Sequence, residues 1–208
     1  CRQATLTSCW YCLTDKTKIV PRETFKNMSK ERLISRLRNI PDYPVKGVQF
    51  KDVTSWFMNP DDLKEIVDSL YEKYKDKGIT KVCGIESRGF IVGSILAYKL
   101  NAGFIPIRKP GKLPFEKVSV EYEKEYGQDR LEMHKDAICP NDVVLIHDDL
   151  LATGGTLFAS CDLVKMFKPK RIYVNCIIEL TNFQIRDKFP ADCPVDCIIE
   201  IDEFEGVN

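Results

Sequence analysis

Residues 143–167 read VVLIHDDLLATGGTLFASCDLVKMF. The run VVLIH, 143–147, is apolar throughout and predicts a strand buried on both faces, while TLFASCDLVKMF predicts a helix. Between them stand two adjacent carboxylates and a Thr-Gly-Gly-Thr turn. In an open α/β sheet, ligands sit beyond the carboxyl ends of the strands, and Asp148 and Asp149 occupy such an end. Gly154 and Gly155 let the backbone turn tightly and expose successive N–H groups. The helix N-terminus adds partial positive charge, and Thr153 and Thr156 add hydroxyl donors, so Ala152 to Thr156 form a phosphate cradle. Carboxylates repel a phosphate, so Asp148 and Asp149 must serve another part of the same ligand. The vicinal hydroxyls of a ribose are the natural partner, and a ribose 5-phosphate fits both halves of the stretch. An ordinary turn capped by aspartate needs one acid, not two plus four turn-adapted residues.

The segments to either side repeat the strand–helix alternation. NPDDLKEIVDSLYEKYKDKG, 59–78, predicts a helix with Asn59 as its cap and Pro60 at its first position. Asp61 and Asp62 suit its positive end, Leu63, Ile66, Val67, Leu70 and Tyr74 make its apolar face, and Gly78 ends it. KVCGI then reads as a strand, ESRGF as a turn, IVGSILAYKL as a helix, GFIPIR (103–108) as a strand, and RIYVNCIIEL as another. Alternating strands and helices with continuous apolar strands predict an α/β fold, a mostly parallel sheet covered on two sides. Residues 40–57 and 109–136 are rich in Gly, Pro and charge and read as a loop and a mobile excursion. In MSKERLISRLRNI, Ser29 is a candidate cap and Leu33, Ile34 and Leu37 form a stripe. The folded domain is therefore expected over 29–208, with 1–28 an extension of unknown role.

Lys plus Arg equals Asp plus Glu, at 31 each among 208 residues, with both signs mixed along the chain. Nucleic-acid binders show a basic excess or stripe, and none is present, so no nucleic-acid partner is expected. No apolar run reaches membrane-spanning length, and no secretory pattern opens the chain, so no membrane partner is expected either. Nine cysteines include CWYC (9–12) and CPVDC (193–197). With two histidines far from both pairs, zinc has little support, and the plain expectation is a cytoplasmic protein with reduced thiols. GxxxxGK[ST] and a strand-following GxGxxG are both absent, which excludes a P-loop and a dinucleotide fold of that type.

The stretch 147–156 resembles the phosphoribosyl-pyrophosphate (PRPP) motif of the type I phosphoribosyltransferases, and its LLATGGT form resembles the adenine-specific branch. The likeness extends in matching order to IPDYPVKGVQFKDVTS, GIESRGFIVG, PIRKPGKLP, EYEKEYGQDRLEMHKDAI and IIELT, covering roughly residues 38–182. The resemblance implies the type I fold: a central, mostly parallel sheet flanked by helices, with a small hood and a flexible loop at 113–130. It implies transfer of ribose 5-phosphate from PRPP to N9 of adenine, giving AMP and pyrophosphate, in purine salvage. It also implies magnesium held mainly by the substrate, and a homodimer.

Residue by residue, the resemblance puts the 5-phosphate on Ala152, Thr153, Gly154, Gly155 and Thr156. Asp148 and Asp149 take the ribose hydroxyls or their metal shell. The turn Glu86, Ser87 and Arg88 takes pyrophosphate, with a non-proline cis peptide expected at Glu86–Ser87; Arg108, Lys109 and Lys112 join it from the next strand end. Glu125 matches the glutamate assigned a catalytic role, and Tyr126 its neighbour on the loop. Gln49, Phe50 and Lys51 match the adenine hood, where the base is read mainly by backbone groups. Two departures stand out. Gln49 replaces a usual aliphatic residue, which opens the alternative of another purine base. His147 also stands where an aliphatic is usual, and it is expected to end the strand as a partly exposed ring. A PRPP-binding regulator without catalysis is the other alternative; it would carry an added partner module and a decayed loop, and YEKEYG is intact.

Overall fold

A computed structural model of the chain describes residues 30–124 and 127–204. Helix α1 covers residues 30–36. Strands β1 (Arg38–Pro41) and β2 (Gln49–Asp52) pair antiparallel, followed by α2 (Thr54–Phe57) and α3 (Pro60–Tyr74). Then come β3 (Lys81–Ile85), α4 (Gly89–Leu100), β4 (Gly103–Ile107), β5 (Lys117–Lys124), β6 (Gly127–His134), β7 (Val143–Leu151), α5 (Gly155–Lys165), β8 (Arg171–Leu180) and β9 (Val195–Ile201).

The main sheet has five strands in the order β4-β3-β7-β8-β9, and every neighbouring pair is parallel. The chain leaves β3 toward β4 and comes back to place β7 on the other side of β3. The strand order therefore reverses between β3 and β7, and a crevice opens there beyond their carboxyl ends. One apolar cluster joins α3 and α4 to the sheet through Trp56, Ile66, Leu70, Val92, Leu96, Leu145 and Ile177. The other joins α5 and β6 to the opposite face through Leu131, Met133, Val144, Ile146, Leu157 and Leu163.

Helix α3 forms with the cap and stripe its sequence dictates, but it ends at Tyr74, short of Gly78, where the chain tightens into a turn with the Lys77 N–H donating to the Tyr74 carbonyl at 3.0 Å. The Asn59 side chain accepts from the N–H groups of Asp61 and Asp62 at 3.0 and 3.1 Å, and Pro60 opens the helix. Ile66, Val67, Leu70 and Tyr74 are buried along one stripe. Buried Asp62 also takes Arg36 at 3.0 and 3.1 Å, which ties α1 to α3. Leu33 is buried, and Ile34 and Leu37 lean on the same cluster. Ser29 lies outside the described residues.

Three expectations change, and one further strand joins the sheet. The excursion holds two long strands: β5 and β6 form an antiparallel ladder from Lys117 opposite His134 to Lys124 opposite Gly127. Val118, Val120 and Tyr122 turn toward the apolar cluster while Ser119, Glu121 and Glu123 face out, so the period of two was present but masked by the charged half. The 40–57 segment holds β2 and α2, and β1 runs into it. The strand at 143 does not stop at His147 but runs to Leu151, in unbroken register with β8. The segment 195–201 completes the sheet as β9.

Gly84 and Gly89 set the approach of α4 to the sheet. A Cβ on Gly84 would lie 2.7 Å from the Phe104 ring and 2.9 Å from the Gly89 carbonyl oxygen, and one on Gly89 would lie 2.7 Å from the His147 carbonyl oxygen. Gly84→Ala should destabilise the fold by about 1–3 kcal/mol through overpacking. Thermal unfolding should report this as a melting temperature lower by about 2–4 °C per kcal/mol.

Candidate active site

The end of β7 places the two acids on opposite faces of the strand. Asp149 shares the face of Leu145 and His147, toward α4, and is 3 % exposed. Its Oδ2 lies 2.9 Å from Nε of Arg88, close enough for an ion pair but without hydrogen-bond geometry, so that oxygen keeps no hydrogen-bond partner. Oδ1 of Asp148 accepts the backbone N–H of Asp149 at 2.9 Å. Burial, then the charge of Asp149, pushes the Asp148 carboxyl well above the usual carboxylate range. Burial also raises Asp149, against the pull of Arg88. The pair is a buried negative centre suited to hydroxyl donors or a cation.

Directly after it the chain turns into α5. Gly154 is the residue before the helix, in the left-handed region at φ 80°, and a Cβ there would lie 2.7 Å from Ile185 and 2.8 Å from Phe158. No side chain caps α5 and no acid occupies its first turn. The N–H groups of that turn are therefore open to an anion. Arg88, both aspartates and residues 152–156 line one cleft of about 190 Å³. Thus β3's following turn and β7's following turn, expected from sequence to share a ligand, do meet.

The turn after β3 carries the cis peptide Glu86–Ser87. The Glu86 carboxylate accepts from Nε and Nη2 of Arg108 at 3.0 and 3.4 Å and from the N–H of Lys109 at 2.8 Å. The hydrogen bond from Arg108 is the largest effect holding Glu86 below the usual carboxylate range, with Lys109 and the charge of Lys112 adding to it. Glu86 thus orients the next strand end, and Ser87 is exposed. The Lys109 ammonium meets Asp129 and the Tyr122 hydroxyl. Lys112 is exposed and acts on this group by charge. Arg88 also stacks on Phe50 at 5.0 Å, and Arg108 on Phe90 at 5.6 Å.

The Arg88 stacking brings β2 to the turn after β3. Phe50 is half-buried between Arg88 and the edge of Tyr43, whose ring centroid is 5.1 Å away, so it is a rim aromatic and not a core one. Lys51 is buried, and the Gln49 side chain accepts from Asn39 at 2.8 Å. Glu125 and Tyr126 lie outside the described residues. One residue escaped the sequence reading: Tyr122 on β5, whose hydroxyl donates to Asp129 at 3.1 Å and lies 3.4 Å from Oγ1 of Thr156. It links the hairpin to the start of α5. The inward alternation of Val118, Val120 and Tyr122 was the signal that placed it.

His147 corrects an expectation. It is fully buried, because β7 continues for four residues beyond it. Its Nδ1 lies 3.1 Å from Oδ1 of Asn175, whose Nδ2 donates to the Asp196 carbonyl at 3.0 Å. With that amide so oriented, Nδ1 carries the proton, and Nε2 has no partner. Burial lowers the imidazole pKa to about 4.

A parallel sheet with an anion-binding loop and paired acids at its reversal point defines a sugar-phosphate-binding α/β enzyme. The family model described as a phosphoribosyl transferase domain matches residues 57–206. An adenine phosphoribosyltransferase of Bacteroides thetaiotaomicron is 58 % identical over 174 residues, covering 84 % of this chain and 99 % of that protein. The crystal structure of adenine phosphoribosyltransferase from Rhodothermus marinus matches with a TM-score of 0.79 at 45 % identity, covering 84 % of this chain and 99 % of that one. The Giardia lamblia enzyme complexed with 9-deazaadenine matches with a TM-score of 0.79 at 39 % identity, covering 84 % of this chain and 98 % of that one. The chain belongs to the phosphoribosyltransferases and, within them, to the adenine phosphoribosyltransferase family.

A neutral buried His147 links stability to pH. Its folded pKa lies below its unfolded value, so the unfolded chain binds the extra proton: stability is intact above about pH 6.5 and falls toward about pH 4. The expected loss is about 2–3 kcal/mol. Comparing urea midpoints of the native protein and His147→Ile from pH 7.5 to 4.5 checks this; the gap between the two should shift in favour of the variant as pH falls.

Proposed function

We infer that the protein transfers ribose 5-phosphate from PRPP to N9 of adenine, forming AMP and pyrophosphate in purine salvage. The observation that carries this is the single cleft in which Arg88, Asp148, Asp149 and the uncapped start of α5 converge. In the transfer, the bond from C1 of the ribose to pyrophosphate oxygen breaks and the bond from N9 to C1 forms, through an oxocarbenium-like state. Ala152 to Thr156 hold the 5-phosphate through backbone N–H groups, with Thr153 and Thr156 hydroxyls beside them. Asp148 and Asp149 take the ribose hydroxyls. Arg88, Arg108, Lys109 and Lys112, with the Glu86–Ser87 turn, receive the pyrophosphate. The edge of β2 at Gln49 and Lys51 reads the base while Phe50 covers its face, and Glu125 accepts or shares the purine proton. Tyr126 and the β5–β6 hairpin screen the reacting carbon from water.

Among the described residues no group of three or more His, Cys, Asp or Glu is arranged to hold a metal ion. The paired carboxylates, with one oxygen of Asp149 lacking a hydrogen bond, suit a hard cation shared with substrate oxygens. Magnesium would be held mainly by the substrate, with Asp148 and Asp149 shaping its water shell, and bound there it would neutralise charge on the pyrophosphate.

We place residues 29–208 in one catalytic unit that works as a homodimer. Helix α4 is apolar beyond the face it buries: Ile91 is 39 % exposed and Tyr98 87 % exposed, and that supports a partner copy. No helix of the described residues is long and apolar enough to cross a membrane. The six described cysteines are free, in keeping with a reducing cytoplasm. Balanced charge supports small-molecule substrates over nucleic acid.

Incubation with PRPP, magnesium and each of adenine, hypoxanthine and guanine should give AMP from adenine. Glu125→Gln should keep PRPP binding and lose roughly 10²–10⁴ in kcat; PRPP binding with no nucleotide from any base would instead mark a regulator. Sedimentation should show a dimer that Tyr98→Lys shifts toward monomer.

A further inference from the structure

The β1–β2 pair is a sheet of its own, with no strand pairing to the five-stranded sheet. The segment following β9 meets its edge. Oε1 of Glu203 accepts from the backbone N–H of Gln49 at 3.4 Å, and Oε2 accepts from Nδ2 of Asn182 at 3.1 Å. Asn182 returns the contact, its Oδ1 accepting from the N–H of Glu203 at 3.3 Å. This reciprocal clamp, in the turn after β8, fixes where the Glu203 carboxylate sits. Among the described residues its partners are neutral amides, so no direct ion pair cancels its charge.

The surroundings are rich in acceptors. Nδ2 of Asn39 donates to Oε1 of Gln49, and Oδ1 of Asn39 is left buried with no donor against it. Pro41 lies opposite Gln49 and has no N–H, so the Gln49 carbonyl receives no ladder bond from its cross-strand neighbour. A carboxylate, an amide oxygen and a backbone carbonyl are thus gathered along one short stretch of β2, and the Asn39 oxygen among them is buried without a donor, which is costly.

We propose that Glu203, held by Asn182, is a specificity-determining residue that selects a purine bearing a 6-amino group over a 6-oxopurine. This rests on the reading that the edge of β2 carries the base. An exocyclic amine brings two N–H donors to an acceptor-rich edge. A 6-oxo group brings lone pairs to the same place and is repelled by the carboxylate. The polar residue at 49 then does not loosen purine choice. Its side chain is occupied by Asn39, and its backbone N–H anchors the discriminating acid.

The test is calorimetric binding of AMP and IMP to the full chain and to Glu203→Gln, with PRPP affinity measured alongside. The native protein should prefer AMP. Glu203→Gln should cut that preference roughly 10- to 100-fold and leave PRPP affinity unchanged. Asn182→Ala, which frees the carboxylate without removing it, should lower the preference in the same direction. An unchanged AMP-to-IMP ratio in Glu203→Gln, or equal weakening of both nucleotides, makes Glu203 a structural strut and overturns the proposal while adenine transfer stands. A native protein that does not prefer AMP overturns the base assignment as well.

Discussion

Helix α4 lies against β3 and β7 at a distance that only glycine permits. Gly84 and Gly89 have no room for a Cβ, one because of Phe104 and the helix's own start, the other because of the His147 carbonyl. That contact sets the position of the turn between β3 and α4, and with it Arg88. From there Arg88 reaches Asp149 on β7 and the ring of Phe50 on β2. Three separately formed pieces, the turn after β3, the acids at the end of β7 and the strand β2, are therefore located by one close packing of helix on sheet. Side chains in such interiors have few alternative arrangements.

The electrostatics of the cleft follow from the same geometry. Two carboxyl groups stand at one strand end with one guanidinium beside them, and burial raises both above the usual carboxylate range. A few residues on, an uncapped helix start offers partial positive charge and unsatisfied N–H groups. Opposite electrostatic needs stand side by side, and a sugar phosphate answers both with hydroxyls at one end and an anion at the other. The cations beyond β4 are held in place by Glu86, which orders Arg108 and Lys109 ahead of any ligand.

The α3 cap and stripe, the parallel strands and the strand–turn–helix order at 143–167 are legible in the sequence. The β5–β6 hairpin was missed because its outward half is almost all charge, which hid the alternation of Val118, Val120 and Tyr122. The end of β7 was misplaced because Asp148 and Asp149 interrupt an apolar run; pairing with β3 ends at His147, and β8 alone carries the ladder on to Leu151. Glu86 was grouped with the pyrophosphate ligands, and its side chain proved to serve Arg108.

By itself the sequence determined the fold class and the family, because each depends on local chemistry: glycines at a tight turn, acids at a strand end, apolar runs of fixed length. Only the tertiary structure decided which distant groups share charge and hydrogen bonds. The burial of His147 against Asn175, the bridge from Tyr122 to Thr156, and the clamp of Asn182 and Glu203 on Gln49 all join residues far apart in the chain. Such contacts leave no local period, since their partners are chosen by how the sheet is ordered and where its helices press upon it.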